Sequence, residues 1–70
     1  MTPAILRDIG ESLYGTRWQF ELSRDLAVSD RTMRRWLAQA NPIPDGVRDE
    51  LRALLAERRG ALDRAMARLR

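Results

Sequence analysis

Apolar residues recur along this chain at helical spacing, in four blocks separated by turn signals. Ile5, Leu6, Ile9 and Leu13 form the first stripe. Thr2 followed by Pro3 marks its start, as an N-cap and then a proline at the first helical position, and Gly15 is its stop. Gly10, inside this stripe, either weakens the helix slightly or allows close packing. Trp18, Leu22 and Leu26 form a second stripe, and Thr16 with Gln19 has the spacing of a capping box for that helix. Met33, Trp36, Leu37 and Ala40 form a third. The segment Asn41-Pro42-Ile43-Pro44-Asp45-Gly46 cannot continue a helix, because each proline removes a donor and restricts the residue before it. Ile43 is its apolar plug. A last helix is predicted from near Asp45 to about Arg59, with Val47, Leu51, Leu54 and Leu55 inward, and the pattern resumes beyond Gly60 with Leu62, Ala65, Met66 and Leu69. The predicted fold class is all-α: a four-helix domain over residues 1–59, then an extension of the last helix over residues 60–70, with Gly60 marking a place for a kink or break.

The third helix carries the clearest signals. Ser29 is a good N-cap, because its hydroxyl accepts from a backbone N–H otherwise unpaired at the helix start. Val28 before the cap and Met33 at the fourth helical position have the spacing of a hydrophobic staple. Asp30 falls in the first turn, where the helix dipole favours a carboxylate. At about 100° per residue, Met33, Trp36, Leu37 and Ala40 share one side, and Arg31, Arg34, Arg35 and Ala38 lie nearly opposite. The charge map sets these arginines apart from an ordinary solvated surface. Residues 1–30 carry a net charge of −2, residues 31–44 carry +3 with no acid, and residues 45–70 carry +2. The uncompensated charge lies on this helix, which is the electrostatic footprint of a nucleic-acid partner.

Bulk composition narrows the chemistry. Seventy residues make one small domain with little core to spare. There is no Cys and no His, so thiol nucleophiles, disulfides, the usual general bases and the common zinc ligands are missing. The acids are scattered among arginines, and no glycine-rich phosphate loop is present. The chain is therefore expected to be no enzyme and to use no metal or other cofactor. Met1 reads as a native start, with neither a signal-peptide pattern nor a membrane-spanning run after it. All 13 basic residues are arginine, a side chain able to grip guanine or phosphate through two hydrogen bonds.

Residues 19–36, QFELSRDLAVSDRTMRRW, resemble the helix-turn-helix of the phage repressor and Cro type, the XRE-like group. The family pattern is met at Gln19, Leu26, Val28, Ser29, Thr32, Met33 and Trp36. It is departed from at Ser23, where the family usually has Ala, and at Ala27, where it usually has Gly. Both substitutes are small, but Ala27 is less comfortable than glycine if the turn needs a positive φ. The resemblance covers about a quarter of the chain closely, and residues 37–55 loosely. It implies a lambda-repressor-like fold with the helix that begins at Asp30 in the major groove. As a short chain without an effector domain, it is similar within that group to Cro-type or autoregulatory repressors, among them the anti-CRISPR-associated regulators, whose build is a helix-turn-helix with a helical dimer tail.

On that reading the DNA-binding residues are Gln19, Ser29, Asp30, Arg31, Thr32, Arg34 and Arg35. At least one of the three arginines reads guanine and the others grip phosphate. Ser29 and Thr32 sit where a helix start meets phosphate or base edges, with capping the first task of Ser29. Gln19 is either a capping-box partner or, as the resemblance implies, a residue that touches the DNA backbone or supports a base-reading residue. Asp30 serves the helix dipole, with acceptance from cytosine as its alternative. Arg17 and Arg24 are candidates for flanking phosphates.

Positions 51, 55, 58, 62, 65 and 69 form a heptad-like seam, interrupted at Arg58, that a core this small cannot cover. The seam is expected to join two copies, the alternative being a single surface helix packed on its own domain or a frayed tail. The expected function is that of a dimeric transcriptional repressor on an inverted-repeat operator in double-stranded DNA. By the resemblance it occludes a promoter and resides in the cytoplasm of a bacterial or phage-infected cell. Neither a membrane nor a small-molecule effector is expected as a partner. Two other classes fit the same fold: a protein-interaction module whose arginine face docks an acidic protein, and an antitoxin or accessory subunit using its last helix.

Overall fold

A computed structural model describes all 70 residues. The chain is all-helical: α1 (Pro3–Tyr14), a 3-10 turn (Gly15–Arg17), α2 (Trp18–Asp25), α3 (Asp30–Leu37) and α4 (Asp45–Arg68). α1 starts as its sequence requires. Thr2 Oγ1 accepts from the Ile5 N–H at 3.3 Å, Pro3 occupies the first helical position, and Gly15 closes the helix at φ 75°. Leu6 and Leu13 are buried, but Ile5 is 48% exposed, a correction to the inward stripe. On the wheel Ile5 lies about 100° from Leu6, which turns it to the flank of the helix.

The proposed capping box before α2 does not form. The chain leaves Gly15 through a 3-10 turn that takes up Thr16, and α2 begins at Trp18 without a side-chain cap. That start is one residue later than a Thr16 cap requires. Gly10 permits the approach of α1 and α2: a Cβ there would lie 2.2 Å from Trp18 Cε3.

α2 and α3 end alike. The Val28 N–H bonds to the Ser23 carbonyl at 3.0 Å and the Ala27 N–H to that of Arg24 at 3.1 Å. The Ala40 N–H bonds to Arg35 at 2.9 Å and the Gln39 N–H to Trp36 at 3.1 Å. This is the Schellman arrangement, which satisfies carbonyls left free at a helix end and needs one left-handed residue. Ala27 (φ 56°) and Gln39 (φ 60°) fill that position, although neither is glycine. Because α3 stops at Leu37, Ala40 falls outside its apolar face and is exposed, contrary to the four-residue stripe.

The core is one cluster of Leu6, Trp18, Leu22, Leu26, Met33, Trp36, Val47 and Leu51, drawn from every helix. Ile43 packs against it from the proline loop, and so do Val28 and Leu54. Leu55, expected inward, is 37% exposed.

α4 corrects the expected end near Arg59 and the expected kink or break at Gly60: it runs unbroken for 24 residues to Arg68. One glycine costs a helix about 1 kcal/mol relative to alanine, and the alanines, leucines and arginines around it are strong helix formers. Residues 61–70 are exposed throughout, and the molecule measures 47 × 22 × 20 Å. Its accessible surface is 5364 Å², against about 4,500 Å² for a compact monomer of its mass. The surplus of about 900 Å² belongs to a helix that outruns its own domain.

Candidate nucleic-acid interface

α3 is presented to solvent by what lies beneath it. Met33 and Trp36 are buried, at 0% and 5% exposure, and fix the rotation of the helix against the core. At about 100° per residue, Arg34, Arg31 and Arg35 then span roughly 100° of arc centred opposite those two anchors. All three are exposed.

The start of the helix is fixed by local hydrogen bonds. Ser29 Oγ accepts from the Thr32 N–H at 3.0 Å and donates to Thr32 Oγ1, also at 3.0 Å. Ser29 is thereby committed to capping, and Thr32 is half-buried. Both remain at the rim where the free backbone donors of the first turn point outward.

The three arginines are not equivalent. Arg34 Nε lies 3.3 Å from Asp30 Oδ2, one turn earlier on the same helix. Arg31 and Arg35 take part in no ion pair. The charge of this face is thus partly compensated, and Asp30 has a task besides the dipole. An i,i+4 pair this exposed adds a few tenths of a kcal/mol to the helix at most. Its geometric effect is larger. With Nε engaged, the two terminal nitrogens of Arg34 form a free fork, the shape that takes the O6 and N7 of guanine or two phosphate oxygens. The Asp30–Arg34 spacing was legible in the sequence as an i,i+4 acid–base pair.

Gln19 is the one member of the set on α2, where it is half-buried. Arg24 is occupied by Glu21 at 2.6 Å and Asp25 at 3.3 Å, which leaves it less available for phosphate than expected. Arg17 sits 5.5 Å from the centre of the Phe20 ring, a cation–π pair on the surface, and Phe20 is 59% exposed. Apolar periodicity does not single out Phe20. It lies between the apolar Trp18 and Leu22 and outside their stripe, so periodicity marks it only as an apolar residue on a polar face.

Behind this surface, the Tyr14 hydroxyl donates to Asp25 Oδ2 at 2.6 Å and ties α1 to the end of α2. Burial, and then the hydrogen bond to Asp25, push the Tyr14 phenol up to about 12. The same hydrogen bond holds the Asp25 carboxyl below its ordinary range, with Arg24 adding to the effect.

No group of three or more His, Cys, Asp or Glu is placed to hold a metal ion, and no helix is long and apolar enough to cross a membrane. Set against known protein families, curated proteins and solved structures, the chain matches none of them.

Proposed function

We propose that this chain is a sequence-specific double-stranded DNA-binding protein of the helix-turn-helix type. It acts as a transcriptional regulator, a dimeric repressor that covers a promoter by laying α3 in the major groove. The observation that carries the reading is the arc of Arg31, Arg34 and Arg35 set opposite the buried Met33 and Trp36. It is supported by the fixed cap at Ser29 and by the short turn that holds α3 against α2. The resemblance of residues 19–36 to the phage repressor and Cro pattern points the same way. A domain that reads an inverted repeat works as two copies about one duplex turn apart, and the projecting part of α4 offers the surface to join them. The exposed apolar stripe of α4 also suits the alternative of an accessory or antitoxin subunit gripping a different protein.

Selection of bound duplexes from a random pool tests the reading. A palindromic motif, bound with an affinity that falls steeply with salt, is the expected result. Arg34→Ala is expected to cost about 1–3 kcal/mol and to relax the preference at one base pair. Arg31→Ala and Arg35→Ala are expected to weaken all sequences alike and to lower the salt slope by about one unit each. If all three variants bind the selected duplex as tightly as the parent, α3 is not the reading element. Salt-independent binding with no preferred sequence would instead favour the protein-partner alternatives.

A further inference from the structure

The apolar seam of α4 continues past the end of the domain. Leu55, Leu62, Met66 and Leu69 are 37%, 58%, 69% and 87% exposed and fall within about 60° of arc. At its Leu55 end the seam opens into a groove between α1 and α4, lined by Met1, Ile5, Ile9, Leu51 and Leu55 and rimmed by Arg48 and Arg52. The Ile5 that α1 turns away from the core is part of this groove. Arg59 and Asp63 lie together on one flank of the seam. They are four residues apart, yet they form no ion pair within the helix, so both are open to a partner.

We infer that a second copy of the chain covers this seam, with α4 against α4 antiparallel about a two-fold axis at Leu62, and the Leu69 end of each copy seated in the other's Leu55 groove. The inference extends the homodimer proposed above and rests on it. Three observations select this occupant and this direction. The first is area: the projecting helix adds about 900 Å² of surface per chain, and its apolar seam together with the Leu55 groove supplies the continuous apolar face that an interface of roughly 800 Å² per partner is built around. The second is register. An axis at Leu62 places Leu55 level with the partner's Leu69 and Arg59 level with the partner's Ala65, about 3 Å along the helix from the partner's Asp63 on the same flank and within reach of its carboxylate, and symmetry repeats both contacts. The third is charge. Residues 58–70 hold five arginines and one acid, Asp63. A parallel pair would lay these arginines side by side along its whole length, whereas the antiparallel pair keeps Arg68 and Arg70 of the two copies apart and confines its like-charge contact to Arg70 beside the partner's Arg52 at each end.

The geometry also fits the DNA reading. Leu51 anchors α4 in its own core and lies eleven residues from Leu62, about 16 Å of helix. Doubled through the axis, this sets the two Leu51 anchors about 33 Å apart along α4, the same scale as the 34 Å between half-sites one duplex turn apart.

The chain has no cysteine, so single introduced cysteines report the pairing directly. Under mild oxidation at tens of micromolar, Leu62→Cys is expected to form a disulfide dimer and Leu55→Cys alone to stay monomeric on a denaturing gel. A mixture of Leu55→Cys with Leu69→Cys is expected to give the mixed dimer. Sedimentation of the charge variants supplies a second readout. Arg59→Asp or Asp63→Arg alone is expected to weaken dimerisation about tenfold. The swap of both in one chain is expected to restore it.

Cross-linking of both Leu62→Cys and Leu55→Cys means a parallel pair and overturns the inference. So does a parent chain that sediments as a monomer and cross-links at neither position, which would hand the seam to a different protein. A double swap as weak as the single variants overturns the register. None of these measurements uses DNA. A chain that pairs as described and ignores the duplex pool refutes the repressor reading alone, and one that selects a palindrome without these cross-links refutes this pairing alone.

Discussion

Ala27 holds a left-handed backbone at φ 56° in the turn between α2 and α3, because the Schellman bonds of Val28 and Ala27 demand it. An L-residue with a Cβ pays about 1–2 kcal/mol for that conformation. Glycine would relieve it at an entropic cost of about 0.4–1 kcal/mol in the unfolded chain. Ala27→Gly is therefore expected to stabilise the fold by about 0.5–1 kcal/mol, seen as a rise of a few degrees in a thermal melt. An unchanged or lower melting temperature would mean that the turn is not strained at this residue. At the same scale, Ser23 is buried with its Oγ lacking a hydrogen-bond partner. A small side chain is what this position requires, and the hydroxyl contributes nothing that the structure explains.

Between elements, the bond from Tyr14 to Asp25 is the one polar side-chain tie from α1 to α2. Its pH dependence follows from both partners. The Tyr14 phenol is raised, so its contribution is complete below its ordinary value near 10 and is lost as pH rises from there through about 12. The Asp25 carboxyl is lowered, so its contribution is complete above the ordinary carboxylate range and is lost as pH falls below it. Tyr14→Phe is expected to cost about 1 kcal/mol at neutral pH, since the bond is strong in kind but partly exposed. The gap between parent and variant should narrow at both extremes. Chemical denaturation at pH 3, 7 and 11 checks this, and a gap that stays constant across the three would deny the bond its linkage role.

At the scale of the molecule, α4 has a buried part and a projecting part. Val47 and Leu51 complete the core, while the stripe from Leu62 onward lies outside it and is exposed. Truncation after Arg59 removes residues that are exposed throughout, apart from the half-buried Gly60. The shortened chain is expected to melt cooperatively, within about 1 kcal/mol of the parent when the parent is diluted to a monomer, since exposed positions rarely contribute more. On the proposed dimeric reading it is also expected to sediment as a monomer and to bind a palindromic duplex far more weakly, because two half-site contacts would no longer be linked. A truncated chain that unfolds would place the tail in the domain's own stability, and one that binds the duplex equally well would remove its role in pairing.

The sequence by itself determined where most helices begin and which faces they bury. Caps and periodicity are local physics: Thr2-Pro3, Ser29 and the Met33–Trp36 spacing act through bonds and contacts within a turn or two, and they hold in the structure as read. The arginine arc was legible for the same reason, since fixing one face of a helix fixes the other. Tertiary structure decided what local signals left balanced. Thr16 and Gln19 have capping-box spacing, but Gly15 and the fit of Trp18 against Gly10 set a 3-10 turn there instead. Gly60 reads as a break, yet the helix continues, because a single glycine is too small a penalty to end a long run of strong helix formers. Ile5 and Leu55 have the apolar character of core residues but sit at the edge of a core that Leu6, Leu51 and two tryptophans already fill. Burial is a property of the assembled domain, so hydrophobicity names the candidates for the core and packing chooses among them.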